Sequence, residues 1–181
     1  MRRWLSVLLF GVLVLAQGAG YYPSKIGWSW TYSSGEVQTL VRDESGVLVL
    51  ERRFPNRPVV ADLLRYTPDK GVLLEGILIN GREQRYSPAL QLYPQPPLYI
   101  GQRWGGRSRF NNQSVALIGE VNRVEGVNVP AGRFNAYVLR TSTVTGGGGN
   151  VVLEVYFVPG VGVVRYATTD GAIDLVKLGR P

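Results

Sequence analysis

The chain has few residue types that could do chemistry, because its 181 residues include no histidine and no cysteine. Ser-His-Asp and Cys-His nucleophilic systems, histidine general bases and ordinary zinc or copper sites are therefore excluded. Carboxylate, lysine, tyrosine and serine side chains remain. Calcium needs several oxygen ligands in one loop, and no segment supplies them at the required spacing. We therefore predict a protein that is not an enzyme and that has no metal and no cofactor.

Two close pairs of carboxylates would suit glycoside hydrolysis, which needs an acid together with a base or a nucleophile. Both pairs lie in or beside predicted turns, where acidic residues are common for conformational reasons. The pairs are Asp43 with Glu44 and Asp170 with Asp174. Ser24 beside Lys25 is no better as a catalytic pair, since neighbours on an extended chain point apart. A glycosidase-type enzyme is kept only as an alternative.

Two glycine-rich runs invite a phosphate-binding interpretation but lack the rest of the motif. Residues 146–149 are all glycine. A P-loop continues into Gly-Lys-Ser or Gly-Lys-Thr and a helix, whereas this run lies between two predicted strands. Residues 160–162, Gly-Val-Gly, lack the third glycine and the helix of a dinucleotide-binding fingerprint. Both runs are therefore interpreted as turns.

Residues 1–20 have the organisation of a secretory signal peptide. Arg2 and Arg3 are followed by an uncharged apolar run over residues 5–16 and by small residues at 18–20. The apolar run is shorter than the ~20 residues that span a bilayer, so we expect cleavage rather than a retained anchor, and no transmembrane segment afterwards. Lipid modification of a cysteine is excluded because the chain has none. We predict export to the periplasm or the extracellular side of the envelope, not as a lipid-modified lipoprotein.

Residues 21–181 are predicted to form a single, mildly basic domain. Without Arg2 and Arg3, the 20 lysines and arginines fall to 18 against 13 acidic residues, a net charge of +5. This charge does not predict nucleic-acid binding. One dense basic region with interleaved aromatic residues suits an anionic partner such as lipid headgroups, envelope polysaccharide or extracellular DNA, and the alternative is a solvated arginine-rich face. Its arginines are Arg82, Arg85, Arg103, Arg107 and Arg109.

Alternating apolar and polar residues between turn signals predict about a dozen short strands. Residues 59–66 are compatible with a strand or a short helix. Residues 72–80 are apolar on both faces apart from Glu75, which predicts a central strand or one that lines an apolar interior. The prolines within residues 94–97 forbid a central strand and mark an internal joint. The predicted fold class is all-β: an antiparallel curved sheet, half-barrel or sandwich after the signal peptide.

Residues 127–166 show this architecture most clearly, as strands joined by tight turns. Pro130 and Gly132 occupy the second and fourth positions of a type I turn, while Pro159 and Gly160 occupy the second and third positions of a type II turn. Two long strands between these turns flank the glycine run. An outer-membrane barrel is a further alternative, against which the proline-rich middle and the non-aromatic terminus count.

A Pro-x3-Gly-x2-Trp spacing occurs twice, which suggests half-repeats over residues 21–96 and 97–181. The alternative is that any turn leading into a tryptophan-anchored strand has this form. In either case proline fixes an extended entry, glycine allows a tight bend and tryptophan closes one end of the core. The residues are Pro23, Gly27 and Trp30, and Pro97, Gly101 and Trp104.

Together with two further motifs, these elements resemble a loose family of exported, largely uncharacterised bacterial β-rich envelope proteins. The further motifs are Val-Pro-Ala-Gly-x-Phe at residues 129–134 and Phe-x-Pro-Gly-Val-Gly-x-Val at residues 157–164. The resemblance implies an all-β envelope protein, with a curved sheet like that of the periplasmic lipoprotein carriers, and no catalytic residue. Many members carry a lipid-attachment cysteine that this chain lacks.

Binding rather than catalysis is the function that these features favour. The leading hypothesis is an exported, non-catalytic envelope protein with a cavity for a hydrophobic or amphiphilic ligand, such as a lipid. The predicted lining is Val72, Leu74 and Leu78, with the strands of Trp30 and Trp104. A solid sandwich core is the alternative for these residues. The alternative function is a structural or assembly component of the cell envelope, which contacts an anionic or protein partner through residues 82–109.

Overall fold

The computed structural model describes residues 20–181, so the predicted signal peptide lies outside the described residues except for Gly20. The described residues form twelve β-strands and no helix. The strands are β1 (Ser29–Tyr32), β2 (Val37–Glu44), β3 (Val47–Arg53), β4 (Val60–Thr67), β5 (Gly71–Ile79), β6 (Arg82–Tyr93), β7 (Arg103–Phe110), β8 (Gln113–Val129), β9 (Gly132–Thr145), β10 (Asn150–Val158), β11 (Gly162–Thr168) and β12 (Gly171–Gly179). This part of the chain offers no helical span of the length and hydrophobicity that a bilayer crossing requires.

The twelve strands form one closed antiparallel barrel. Each strand pairs with its neighbours in the chain, and β1 pairs with β12 through Ser29 and Gly179. Residues 59–66, which were compatible with a helix, belong mainly to strand β4. The all-β, antiparallel prediction of about a dozen strands is confirmed.

The glycine-rich runs form turns, as their sequence context predicts. Gly160 has a φ of 75°, and the Val161 N–H donates to the Val158 carbonyl at 3.0 Å, which is the geometry of a type II turn. The run of four glycines joins β9 to β10, where the Thr145 N–H donates to the Gly149 carbonyl at 2.9 Å. Neither run is followed by a helix, so neither has the geometry of a nucleotide-binding loop.

A β-bulge decides which side chains of β5 face the barrel interior. Leu64 of β4 pairs with Leu74, and the next pair involves Gly76, so Glu75 is an extra residue in β5. The alternation of side chains reverses at such a residue. Leu74 therefore faces the interior, whereas Leu78 faces outward and packs against a small apolar cluster on β2, β3 and β4.

The residues that precede β1 close one end of the barrel. Tyr21 and Tyr22 are buried there. The Tyr21 hydroxyl donates to the Pro94 carbonyl at 2.7 Å, and the Tyr21 carbonyl accepts from the Gly160 N–H at 3.2 Å. The Tyr21 ring centroid also lies 5.1 Å from that of Phe157. This segment therefore joins the ends of β6 and β10 across the barrel.

The two Pro-x3-Gly-x2-Trp elements make the same backbone contacts. The Gly27 N–H donates to the Leu40 carbonyl and the Gly101 N–H to the Val121 carbonyl, both at 2.8 Å. The φ angles of these glycines are 97° and 85°, a region that residues with a side chain rarely adopt. The register shifts directly after Leu40 between β2 and β3, and directly after Val121 between β8 and β9. The half-repeat remains a prediction, but the shared registers allow positions in β1–β6 to be compared with positions in β7–β12.

Candidate functional site

The barrel contains a cavity of about 560 Å³. Its lining comes from β1–β6, β10–β12 and the segments beside them, and no residue of the described strands β7, β8 and β9 contributes. Tyr86 and Ile173 line it near the turns that join β5 to β6 and β11 to β12, so the cavity lies toward that end of the barrel. Its volume falls in the range of ~300–1,000 Å³ that is typical of small-molecule sites.

Most of the lining is aliphatic or aromatic, and four residues carry amide or charged groups. These four, which we call the polar cluster, are Glu36, Gln38, Arg52 and Asp62. An apolar wall with a few convergent polar groups is the usual composition of a ligand pocket.

The charged residues face inward because each shares the interior face of its strand with apolar residues. In β3, Leu48 and Leu50 belong to the core, and Arg52 follows at the same two-residue spacing. In β4, Asp62 precedes the buried Leu64 at that spacing. These charged residues are not among those predicted from the sequence. A charged residue on the apolar face of an alternating strand is the signal that could have identified them.

Arg52 links the two carboxylates of the polar cluster. Its Nε donates to Oε1 of Glu36 at 2.7 Å, and its Nη1 lies 3.6 Å from Oδ2 of Asp62. Glu36, which is 6% exposed, also accepts a hydrogen bond from Nε2 of Gln38 at 3.0 Å. The Glu36 carboxylate therefore accepts two hydrogen bonds. Asp62 contacts the guanidinium of Arg52 only at ion-pair distance.

Burial changes the ionisation of groups in the cavity. It raises the pKa of the Asp62 carboxyl, which the charge of Arg52 opposes and that of Glu36 reinforces. Burial also raises the pKa of Tyr22 and Tyr93, so these phenols are neutral at physiological pH. Apart from the tyrosines, the ionisable groups of the lining are two carboxyl groups and one guanidinium.

Aromatic rings surround the polar cluster. The ring centroids of Tyr22 and Tyr93 are 6.3 Å apart, and those of Tyr32 and Tyr166 are 5.4 Å apart. The Tyr32 hydroxyl donates to the Val163 carbonyl at 2.9 Å. All four tyrosines line the cavity, and these contacts hold their rings in place around it.

The second half of the barrel has an apolar residue where the first half has Asp62. Asp62 pairs with Leu50, which in turn pairs with Leu40 just before the bulge. In the second half, Val155 pairs with Leu139, which pairs with Val121 just before the equivalent bulge. Val155 is 4% exposed in the apolar core. This position of the barrel can therefore be filled without a charge.

The tryptophans of the two halves differ in the same way. Trp30 pairs with Gln38 of the polar cluster, whereas Trp104 pairs with Gly119. A Cβ atom on Gly119 would overlap the indole ring of Trp104, so this ring fills the interior directly above the glycine. The side chain of Gln38 occupies the corresponding place in the first half, and there the cavity remains open.

Two of the five residues predicted to line a cavity do so. These are Trp30 and Leu74. Val72 is fully buried in the adjoining apolar core. Leu78 faces outward because of the β5 bulge, and Trp104 lies in the filled half of the barrel.

Two of the arginines predicted to contact a partner are held in ion pairs. Nη1 of Arg85 lies 2.9 Å from Oε2 of Glu75, and Arg85 also pairs with Glu83. Nε of Arg103 lies 3.1 Å from Oε2 of Glu120. These contacts reduce the positive potential that the two arginines present to solvent.

The other three predicted arginines are exposed. Arg82, Arg107 and Arg109 form no ion pair with the residues described here. Successive side chains of a strand point to opposite faces. Trp104 points to the buried face of β7, so Arg103, Arg107 and Arg109, which lie an odd number of residues away, share the outer face. On β7 the arginines and Trp104 therefore lie on opposite sides of the sheet and do not form one surface.

The carboxylate pairs suggested by the sequence lie outside the cavity. Oδ1 of Asp43 accepts a hydrogen bond from the Gly46 N–H at 2.7 Å, within the turn between β2 and β3. Asp174 accepts two hydrogen bonds from Arg165. Among residues 20–181, no three carboxylates come together as metal ligands.

No family model and no curated protein sequence matches the chain. Two crystal structures resemble it in fold. One is of a protein from Parabacteroides distasonis that is provisionally classed as a lipoprotein, with a TM-score of 0.42 and 14% identity over 88% of this chain and 98% of that chain. The other is of a protein with a YmcC-like fold from Bacteroides fragilis, provisionally classed as exported, with a TM-score of 0.43 and 14% identity over 90% and 100% of the two chains.

Proposed function

We propose that this protein is an exported, non-catalytic protein of the cell envelope that binds a hydrophobic or amphiphilic small molecule in its cavity. The observation that carries the proposal is the asymmetry of the barrel. Within residues 20–181 the two halves share a register shift after Leu40 and Val121, yet the polar cluster on the wall of the 560 Å³ cavity comes from the first half, and β7, β8 and β9 contribute no lining residue. Export is proposed on the sequence of residues 1–20.

The composition of the lining predicts a ligand with an apolar part and a polar part. Leu50, Leu64 and Leu74 supply aliphatic surface on three successive strands. Each methylene group that leaves water for such a surface contributes ~0.8 kcal/mol, so a short acyl or alkyl chain would supply most of the affinity. A polar group at the end of that chain would lie against Arg52 and Asp62.

Catalysis is the less favoured interpretation of the same cavity. Glu36 and Asp62 do share one cavity, and two carboxylates across a cleft are the usual apparatus of glycoside hydrolysis. Here the guanidinium of Arg52 lies between them and contacts both. The bond to be cleaved would have to occupy that position. The arrangement therefore suits recognition of a ligand better than its hydrolysis.

A cavity-filling substitution tests the proposed binding. Leu64→Phe introduces the residue type that the second half has at the corresponding position, Phe157. We expect wild-type protein to bind the fluorescent apolar probe N-phenyl-1-naphthylamine. The variant should bind it at least about tenfold more weakly, because the added ring occupies cavity volume and a loss of 1.4 kcal/mol is tenfold in affinity.

Val144→Phe is the matched control, since Val144 is 45% exposed on β9, a strand that does not line the cavity. The Val144→Phe variant should bind the probe with the affinity of the wild type. Circular dichroism should show that both variants are folded. Absence of probe binding to the wild type, or equal affinities for all three proteins, would contradict the proposal.

A second candidate function is contact with an anionic envelope component through the outer face of β7. The observation that favours it is the row formed by Arg103, Arg107 and Arg109, of which the last two have no ion-pair partner within the described chain. A basic strand face next to an anionic lipid surface gains about 1 kcal/mol for each arginine near the headgroups.

Charge reversal tests this second candidate. Arg107→Glu combined with Arg109→Glu should reduce cosedimentation with phosphatidylglycerol vesicles by more than about tenfold. The control pair is Arg133→Glu with Lys177→Glu, which makes the same change in net charge away from β7 at two exposed positions. Equal loss in both pairs would indicate a general effect of net charge and would remove the candidate.

A further inference from the structure

The cavity carries an excess of negative charge although the protein as a whole is basic. The 181 residues include 20 lysines and arginines against 13 acidic residues. In the cavity lining the balance is reversed, because two carboxylates face one guanidinium and no lysine is present. Charges in a low-dielectric concave site act strongly on a ligand, so this local sign matters more for recognition than the net charge of the surface.

Asp62 is the less closely paired of the two carboxylates. The guanidinium of Arg52 is committed to Glu36 by a 2.7 Å hydrogen bond and reaches Asp62 only at 3.6 Å. The Asp62 side chain keeps 15% of its surface exposed, and that surface lies in the cavity lining. A carboxylate in this position has room for a second, closer cation.

Tyrosines lie around this carboxylate. Burial raises the pKa of Tyr86, and the charge of Asp62 raises it further. The same charge acts on Tyr22 and Tyr93, which also line the cavity. Aromatic ring faces attract cations, and ammonium groups bind where several such rings and a carboxylate meet.

The fold itself does not require a charge at this place. Val155 occupies the corresponding position of the second half and is buried in the core. Burying an ionised carboxylate is costly, and replacing a buried ion pair by apolar residues is often neutral or stabilising. The presence of Asp62 is therefore better explained by an interaction with a ligand than by the stability of the barrel.

We infer that the ligand is a cationic amphiphile, whose ammonium group pairs with Asp62 among the tyrosines and whose alkyl part lies against the leucines of β3, β4 and β5. The inference rests on the proposed binding function and adds the charge of the ligand to it. Arg52 then has a positioning role, since its hydrogen bond to Glu36 keeps its guanidinium at the longer distance of 3.6 Å from Asp62.

Three probes with the same alkyl chain test the charge preference. Decyltrimethylammonium, decanol and decanoate are compared by displacement of N-phenyl-1-naphthylamine, below their micelle-forming concentrations. We expect decyltrimethylammonium to bind at least about tenfold more tightly than decanol, because the cation gains both the carboxylate and the ring faces. Decanoate should bind most weakly of the three.

Asp62→Asn tests which residue causes the preference. The variant should bind decyltrimethylammonium about tenfold more weakly and should lose the preference of the wild type for this cation over decanol, because the charge is removed. Asp170→Asn is the matched control, since Asp170 is exposed in the turn between β11 and β12 and should change neither affinity. Circular dichroism and urea unfolding should show that the Asp62→Asn variant is folded.

The outcomes separate this inference from the proposed function. If decanol binds but the cation has no advantage, or if decanoate binds best, the charge inference is wrong and the binding function stands. If the cation is preferred and Asp62→Asn leaves that preference intact, Asp62 is not the counter-ion and the inference is equally wrong. If none of the three displaces the probe, the proposed function itself fails.

Discussion

Arg52→Met is expected to lower the free energy of unfolding by about 2–3 kcal/mol at pH 7. Methionine keeps most of the apolar stem of the side chain but removes the guanidinium, which leaves the carboxylates of Glu36 and Asp62 in one cavity without a cation. Removing one partner of a fully buried ion pair costs about 3–5 kcal/mol. The Arg52 side chain is 35% exposed, so solvent screening reduces the effect here.

The loss of unfolding free energy in Arg52→Met should depend on pH, and the direction of this dependence identifies its cause. Burial raises the pKa of Asp62, and without the opposing charge of Arg52 the folded state favours its protonated form further, so this pKa lies above that of the unfolded chain. A carboxyl group of this kind loses stability as pH rises from its unfolded pKa, near 4, through its folded pKa. The difference between variant and wild type should therefore be largest at neutral pH and should shrink below about pH 4.

Urea unfolding followed by circular dichroism at pH 7 and pH 3.5 measures this difference. The triple variant Arg52→Met, Glu36→Gln, Asp62→Asn is the control, and it should recover most of the stability at pH 7 because no carboxylate remains unpaired. Equal losses at both pH values, or no recovery in the triple variant, would assign the effect to packing rather than to charge.

Gly119→Ala should destabilise the barrel by about 3 kcal/mol, at the upper end of the usual effect of overpacking. The indole ring of Trp104 lies against this glycine and leaves no room for a Cβ atom. The ring cannot move aside freely, because it is 8% exposed and its N–H donates to the Leu92 carbonyl at 3.2 Å. The added methyl group must therefore displace either the indole ring or strand β8.

Gly106→Ala is the matched control for this substitution. Gly106 is also a strand glycine, its φ is negative or extended, and a Cβ atom there would have no neighbour within 4 Å. The stability of the Gly106→Ala variant should equal or slightly exceed that of the wild type, as is usual when glycine is replaced at a position whose φ and ψ alanine can adopt. Combining Gly119→Ala with Trp104→Leu should cost less than the sum of the two single changes; simple additivity would show that the ring is not the obstacle.

Local structure was predictable from this sequence because short-range chemistry determines it. The proline and glycine positions at 158–161 specify a type II turn, and Gly160 has the positive φ that such a turn requires. The alternation of apolar and polar residues identifies most strands and explains why the all-β prediction was correct. Closure into a barrel depends on the pairing of β1 with β12, and no local pattern encodes a contact of that range.

The candidate site was harder to predict for two physical reasons. A single extra residue, Glu75, reverses the faces of β5 and places Leu78 outside, although an unbroken alternation would place it beside Leu74. The polar cluster joins residues on or beside β2, β3 and β4 that no sequence motif links. The sequence signal for this cluster is the charge of Arg52 and Asp62 on otherwise apolar strand faces, and spacing alone does not reveal it.

The pairing of β1 with β12 also determines when the cavity can exist during synthesis. As the chain is made from its N-terminus, β1 can pair with β2 at once, but its other edge has no partner until β12 has been synthesised. The cavity wall includes residues of β10, β11 and β12 as well as the six strands of the first half. A nascent chain that ends before β10 therefore has the complete polar cluster but an incomplete cavity wall. The proposed ligand binding would require a polypeptide that includes β10–β12, and long-range closure of this kind is a slow step in folding.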